Sequence, residues 1–289
     1  MLRTASLAAA LTLALGACTS SPAVTQDTAP GSSNAPVAAT TPGLSAAIAG
    51  HWRSADNVAR DRYRHPAQTL AFFGVAPGQT VIEVTPGGGW YAEILAPVLR
   101  GNGQYIAAVV DPAALPAGGG RDYQQKARST LEARFAAGPA QFDGARVVAF
   151  DPAQPVFGAP GSADTVLTFR NVHNWRSAQQ AEGMFRGFFD VLKPGGTLGV
   201  VEHRAAGDVP AQDKSGYVGQ AQVIAMAQAA GFVLDGQSEI NANARDTKDH
   251  PNGVWALPPS NRHEAADKAR FQAIGESDRM TLRFKKPAG

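Results

Sequence analysis

The octapeptide Glu83-Val84-Thr85-Pro86-Gly87-Gly88-Gly89-Trp90 places a carboxylate just ahead of a glycine-rich turn, at the end of an apolar run that starts at Val81. Glycines let a backbone pass close to a ligand, and a helix opening after them directs free N–H groups at it. Polar and titratable residues recur after further apolar runs. Asp111 follows residues 105–110, Asp151 follows 147–150, and Asn171, His173 and Trp175 follow 165–169. His173 could take a proton from a hydroxyl or an acidic carbon, with Trp175 as a wall, or could equally be a hydrogen-bonded loop histidine. Glu202-His203, after residues 197–201, form a second candidate pair, although neighbours on a strand face opposite sides.

The glycine spacing admits more than one ligand. Gly87, Gly89 and Ala92 fit the G-x-G-x-x-G/A dinucleotide pattern, with Asp111 near the place of its ribose carboxylate, and a plain strand-to-helix turn without a ligand would also show such glycines. Glu83 argues against a pyrophosphate, which it would repel, and for the ammonium and sulfonium end of S-adenosylmethionine, which it would attract. Methyl transfer from a sulfonium is an in-line displacement. The protein then has to align donor and acceptor and exclude water, and a base helps only for some acceptors. The alternatives are a ligand-binding protein without turnover and an NAD-dependent oxidoreductase.

The elements that must position these residues alternate as in an α/β domain. Strands are expected over 81–84, 105–110, 147–150, 165–169 and 197–202, with another starting at 232. Helices are expected over 91–99, which contains Pro97, over 178–192, stopped by Lys193-Pro194-Gly195-Gly196, and over 220–230, closed by Gly231. Residues 280–284 alternate apolar and polar, as a half-exposed antiparallel strand does. In a parallel sheet the carboxyl edge binds ligands, so Asp111, Asp151, Asn171 and His173 should converge on one crevice. The arginine-rich run 60–66 is either a solvated face or a cover over that crevice. Residues 239–278 exceed what a connection needs, and they read as a substrate-side lid with Trp255 as its apolar contact, or as a surface excursion.

These features together resemble the class I S-adenosylmethionine-dependent methyltransferases, over about residues 67–284, and in particular a bacterial group with a Pro-Gly-Gly-Gly-Trp-Tyr turn. The residues that carry the resemblance are the run from Glu83 to Gly89, Asp111, Arg170-Asn171-Val172, Leu192-Lys193-Pro194-Gly195-Gly196 and the final strand. The resemblance implies a Rossmann-like, mostly parallel seven-stranded sheet in the order 3-2-1-4-5-7-6, with helices on both faces. It also implies a cofactor over the turn of Gly87, Gly88 and Gly89, with Asp111 on its ribose hydroxyls and Asp151 near its adenine amino group, while His203 and Trp255 are candidates for the substrate side on their positions in the chain alone. One position departs from the pattern: the first turn glycine of the family is Thr85 here, which leans toward binding without turnover.

Composition bounds the partners. Of 289 residues, 26 are Lys or Arg and 24 Asp or Glu, a net charge of +2 that offers no nucleic-acid footprint. Arg3, the apolar residues 7–15 and Leu15-Gly16-Ala17-Cys18 resemble a bacterial lipoprotein signal. The expected organisation is a signal over 1–17, an Ala/Pro/Ser/Thr-rich tether over 18–45 and a methyltransferase-like domain over 46–289. A lipid on Cys18 would be the membrane attachment, and Thr19 in place of an aspartate favours the periplasmic side of the outer membrane. Cys18 is the only cysteine, which excludes internal disulfides and thiol metal sites. Cys18→Ser should therefore leave the protein unprocessed or released from membranes; fractionation identical to wild type would remove the anchor.

Overall fold

The computed structural model describes residues 42–289, so the signal, Cys18 and most of the tether lie outside the described residues. One sheet organises the rest. Its strands are β1 (Thr80–Val84), β2 (Gln104–Val110), β3 (Arg146–Phe150), β4 (Ala163–Phe169), β5 (Leu192–His203), β6 (Val233–Ser238) and β7 (Arg279–Lys285). They stand in the expected order β3-β2-β1-β4-β5-β7-β6. β1 to β5 pair in parallel, while β7 runs antiparallel between β5 and β6.

Parallel strands covered on both faces must be apolar on both, and each adds to two separate cores. Ile82, Val84, Ala108, Val166 and Val200 pack on one face with Phe185, Phe188 and Phe232. Val81, Ala107, Val109, Leu167 and Val201 pack on the other with Leu70, Phe73, Ile94 and Leu95. Odd and even positions of one strand thus serve opposite layers, the period-2 rule for strands. The helix Pro42–Ile48 joins the second layer through buried Leu44.

The helix expected over 178–192 is Ala181–Val191, and a further short helix, Val172–Ser177, precedes it across Gln179, which turns left-handed at φ 58°. The longest helix among the described residues, Gly119–Ala137, has no counterpart in the sequence reading. Only Leu131 in it is buried, so it lacks the apolar stripe that marks a helix in a sequence.

After β1 the backbone enters the left-handed region at Thr85 (φ 54°), Gly87 (58°) and Gly89 (84°). At Gly89 a Cβ would lie 2.7 Å from Leu131 Cδ1, so a side chain there would require the Leu131 side chain to move aside. Thr85 holds a geometry suited to glycine despite a β-branched side chain, and its buried Oγ1 has no partner. The left-handed conformation costs an L-residue roughly 1–2 kcal/mol, against roughly 0.5–1 kcal/mol for the extra chain entropy of glycine. Thr85→Gly should therefore raise unfolding stability by about 0.5–1 kcal/mol in urea titration. An unchanged or lower midpoint would show that the surrounding turn relieves the strain.

Candidate functional site

The carboxyl ends of β1, β4 and β5 open into a cavity of ≈ 560 Å³, within the roughly 300–1,000 Å³ typical of small-molecule sites. Glu83 and the turn from Thr85 to Gly88 line it, and so do Arg170, Asn171, His173, His203 and Trp255.

Glu83 is 2% exposed and accepts a 2.6 Å hydrogen bond from the Tyr105 hydroxyl. Burial pushes its carboxyl up to about 7, although Tyr105 and the Arg64 cation pull the other way. A carboxylate in that state gains most from an approaching cation. Asn171 works on the backbone: its Nδ2 donates to the Val84 carbonyl and to Thr168 Oγ1, each at 3.1 Å, which ties the end of β4 to the end of β1.

His173 Nδ1 lies 3.1 Å from Glu202 Oε1, and the fully buried Glu202 also accepts the backbone N–H groups of His173 (3.3 Å) and His203 (2.8 Å). With Nδ1 engaged by the carboxylate, Nε2 is the nitrogen left to exchange a proton. The expectation that Glu202 and His203 face apart is corrected here. At the strand end the carboxylate folds back onto the next N–H, and donor atoms of His173, Glu202 and His203 all lie within 4.8 Å of one another. His203 Nδ1 is 2.5 Å from Ser277 Oγ. Burial, then the charges of His173 and Arg170, hold the His203 imidazole well below its ordinary range. These three could each offer one atom to a metal ion, but Glu202 already accepts three N–H groups and Arg170 adds positive charge to the surroundings.

Trp255 lies in a short helical turn (Gly253–Ala256) of the segment expected to form a lid, with its ring 6.0 Å from that of His173 and nearly perpendicular. Trp175, expected as a wall, is instead 5% exposed in the core, 5.5 Å from the Phe188 ring, because the helix Val172–Ser177 turns it inward. Gly87 and Gly88 border the cavity. Asp111 and Asp151 sit at the ends of neighbouring β2 and β3, outside the lining of this cavity. Each caps its own turn: Asp111 Oδ1 accepts from Ala113 N–H at 3.0 Å and Asp151 Oδ1 from Ala153 N–H at 2.8 Å.

Of the arginine run, Arg60 and Arg64 take the position of a cover over the crevice, while Arg62 is exposed. Arg64 is 2% exposed and both Arg60 and Arg64 line the cavity, facing Glu276 from the far end of the chain. The sequence marks Arg170 only as part of the resemblance, with no site role, and gives Glu276 none. The available signal was a charged residue directly after the buried run 165–169, where a parallel sheet exposes its binding edge.

No family model matches the chain, and no curated protein matches it by sequence. Solved structures do match. A SAM-dependent methyltransferase from Aquifex aeolicus is 12% identical with a TM-score of 0.53, covering 79% of this chain and 93% of its own. The cyclase SpnF is 18% identical with a TM-score of 0.55, covering 85% and 93%. A SAM-dependent methyltransferase from Methanosarcina mazei is 11% identical with a TM-score of 0.50, covering 74% and 95%. The chain has the Rossmann-like class I methyltransferase fold.

The residues present fit S-adenosylmethionine at its cationic end. Cβ atoms added at Gly87 and Gly88 would meet nothing within 4 Å, so the turn is an open cradle, and buried Glu83 lies beneath it as the complementary charge.

Glu83 also has a consequence for folding. Its folded value of about 7 lies above the ordinary carboxyl value of 4.5, so the native state holds the proton longer than the unfolded chain does. Stability from this group therefore falls as pH rises from about 4.5 to 7, and the cost is complete above 7. Glu83→Gln should stabilise the protein at pH 8 by on the order of 3 kcal/mol and hardly at all at pH 4. Equal unfolding midpoints for the variant and wild type at pH 8 would contradict this.

Proposed function

We propose that this chain transfers a methyl group from S-adenosylmethionine to a small-molecule acceptor, as a protein lipid-anchored through Cys18. The observation that carries the proposal is the pairing, within one cavity, of a buried carboxylate under an open glycine turn with a histidine oriented by a second buried carboxylate. When bound, the cofactor supplies an electrophilic methyl group and leaves as the neutral thioether.

Glu83 holds the cationic end, and the turn at Gly87 and Gly88 brings the backbone close. Asp111 and Asp151, at the ends of β2 and β3, are assigned to the ribose hydroxyls and the adenine. His173 takes the acceptor proton on Nε2, and Glu202 stabilises the imidazolium that results. Trp255 and the stacked pair Tyr91 and Phe169, with ring centroids 3.6 Å apart, keep water from the reacting atoms. Thr85 supports a second reading, ligand binding without turnover, since a strained residue stands at the first turn position. The fold by itself does not choose a reaction, as a neighbour named as a cyclase illustrates.

Calorimetric titration of the full chain with S-adenosylmethionine, S-adenosylhomocysteine and NAD tests this. The first two should bind and NAD should not. Because the cation favours ionised Glu83, affinity should fall toward tenfold per pH unit below about 7 in wild type, and Glu83→Gln should bind weakly with no such slope. Asp111→Ala should weaken binding by about one to two orders of magnitude, as loss of charge-assisted hydrogen bonds does. His173→Ala should leave cofactor affinity within about twofold while abolishing transfer to hydroxyl acceptors. Binding of NAD alone would favour an oxidoreductase, and cofactor binding without transfer to any acceptor would favour the second reading.

A further inference from the structure

We propose that Arg170 forms an anion-binding subsite in the cavity, so that the methyl acceptor is a small molecule bearing a carboxylate or phosphate group; the acceptor assignment rests on the methyl-transfer reading.

Four guanidiniums gather at this end of the cavity around a single carboxylate. Glu276 pairs with Arg60 Nε at 2.7 Å, Arg64 Nε at 3.2 Å and Arg279 Nη1 at 3.1 Å. Burial alone would raise its carboxyl, yet the charges of Arg64, Arg279, Arg60 and Arg170 hold it down to about 2. That carboxylate is fully used by three of the four. Arg170, half-buried on the cavity wall, has no carboxylate within 4.0 Å and donates no side-chain hydrogen bond among the described residues. Arg64, itself nearly inaccessible, and Arg60 each keep a buried Nη2 without an acceptor.

A cation with no partner among other cations is unfavourable for the empty protein, and a ligand anion would remove the imbalance. The same positive field lowers the case for a metal ion at His173, Glu202 and His203, since a dication would be repelled where an anion is attracted. Arg170 stands three residues from His173 on the segment leaving β4, and both line the cavity. A charged group held by Arg170 would therefore leave the body of the acceptor against Phe169 and Trp255, with its reacting atom toward His173. The planar fork of a guanidinium suits carboxylate and phosphate oxygens in particular.

The test uses the full chain with benzoate and inorganic phosphate as anionic probes and benzyl alcohol as the neutral control, with and without S-adenosylhomocysteine. Benzoate or phosphate should bind wild type and benzyl alcohol should bind far more weakly. Arg170→Gln should lose about tenfold or more in anion affinity, Arg170→Lys should lose less, and S-adenosylhomocysteine affinity should stay within about twofold. The Tm of Arg170→Gln should equal or exceed that of wild type, because an unpaired charge has been removed. Anion affinity equal to wild type in Arg170→Gln, no probe binding by wild type, or a marked fall in Tm would overturn the subsite. A tenfold loss of S-adenosylhomocysteine affinity in Arg170→Gln would overturn it as well, by assigning the guanidinium to the carboxylate of the cofactor. Arg170-dependent anion binding without any cofactor binding would retain the subsite and remove the methyl-transfer reading.

Discussion

Three arginines from opposite ends of the chain converge on Glu276. Arg60 and Arg64 precede the first strand, while Glu276 and Arg279 lead into the last one, so this cluster closes the chain over the carboxyl edge of the sheet. It is a buried network, and such networks hold only when each charge has a partner. Removing Glu276 would leave several guanidiniums facing one another at low dielectric. The wall of the cavity depends on that one carboxylate, and so does the stacking of Arg64 on Trp90, whose ring centroid lies 4.8 Å from the guanidinium carbon. Trp90 in turn follows the glycine turn, and its indole N–H donates to the Asn57 carbonyl at 2.9 Å.

The cavity is consequently polarised. Glu83 sits by the glycine turn with the Tyr105 hydroxyl as its one direct side-chain partner among the described residues, and its charged form is disfavoured by burial. Arg170 lies on the opposite account, a charged form without a carboxylate beside it. Each group is poorly satisfied in the empty protein, and each calls for a ligand charge of opposite sign. A cationic donor beside Glu83 and an anionic acceptor beside Arg170 would satisfy both, and would also attract each other across the transfer distance. His173 lines the same cavity, and its hydrogen bond to Glu202 is already made.

The sheet makes this arrangement possible by leaving its carboxyl edge irregular. The end of β4 is pinned to the end of β1 by the Asn171 amide, which fixes the spacing between the glycine turn and the Arg170–His173 segment. Left-handed residues occur at both strand exits, Thr85 after β1 and Arg170 after β4, with φ of 54° and 64°. Non-glycine residues in that region are sparse and cluster where a structure over-determines them for function.

The sequence by itself determined the repeating units. Apolar runs of strand length, the glycine turn, the Lys193–Gly196 stop and the polar residues after each strand follow from local rules of backbone conformation and periodicity, and they placed β1 to β5 and β7 within a residue or two except at β5, whose start is at Leu192. What those rules miss has no local periodicity. The helix Gly119–Ala137 buries only Leu131, and Trp175 reads as a pocket aromatic until the turn of its helix aims it at Phe188. The approach of Glu202 to His173, and the gathering of Arg60, Arg64 and Arg170 around Glu276, join side chains from 29 to 216 positions apart. Only tertiary structure decides such meetings, because burial and charge act through distance in space, whereas propensity and pattern act along the chain.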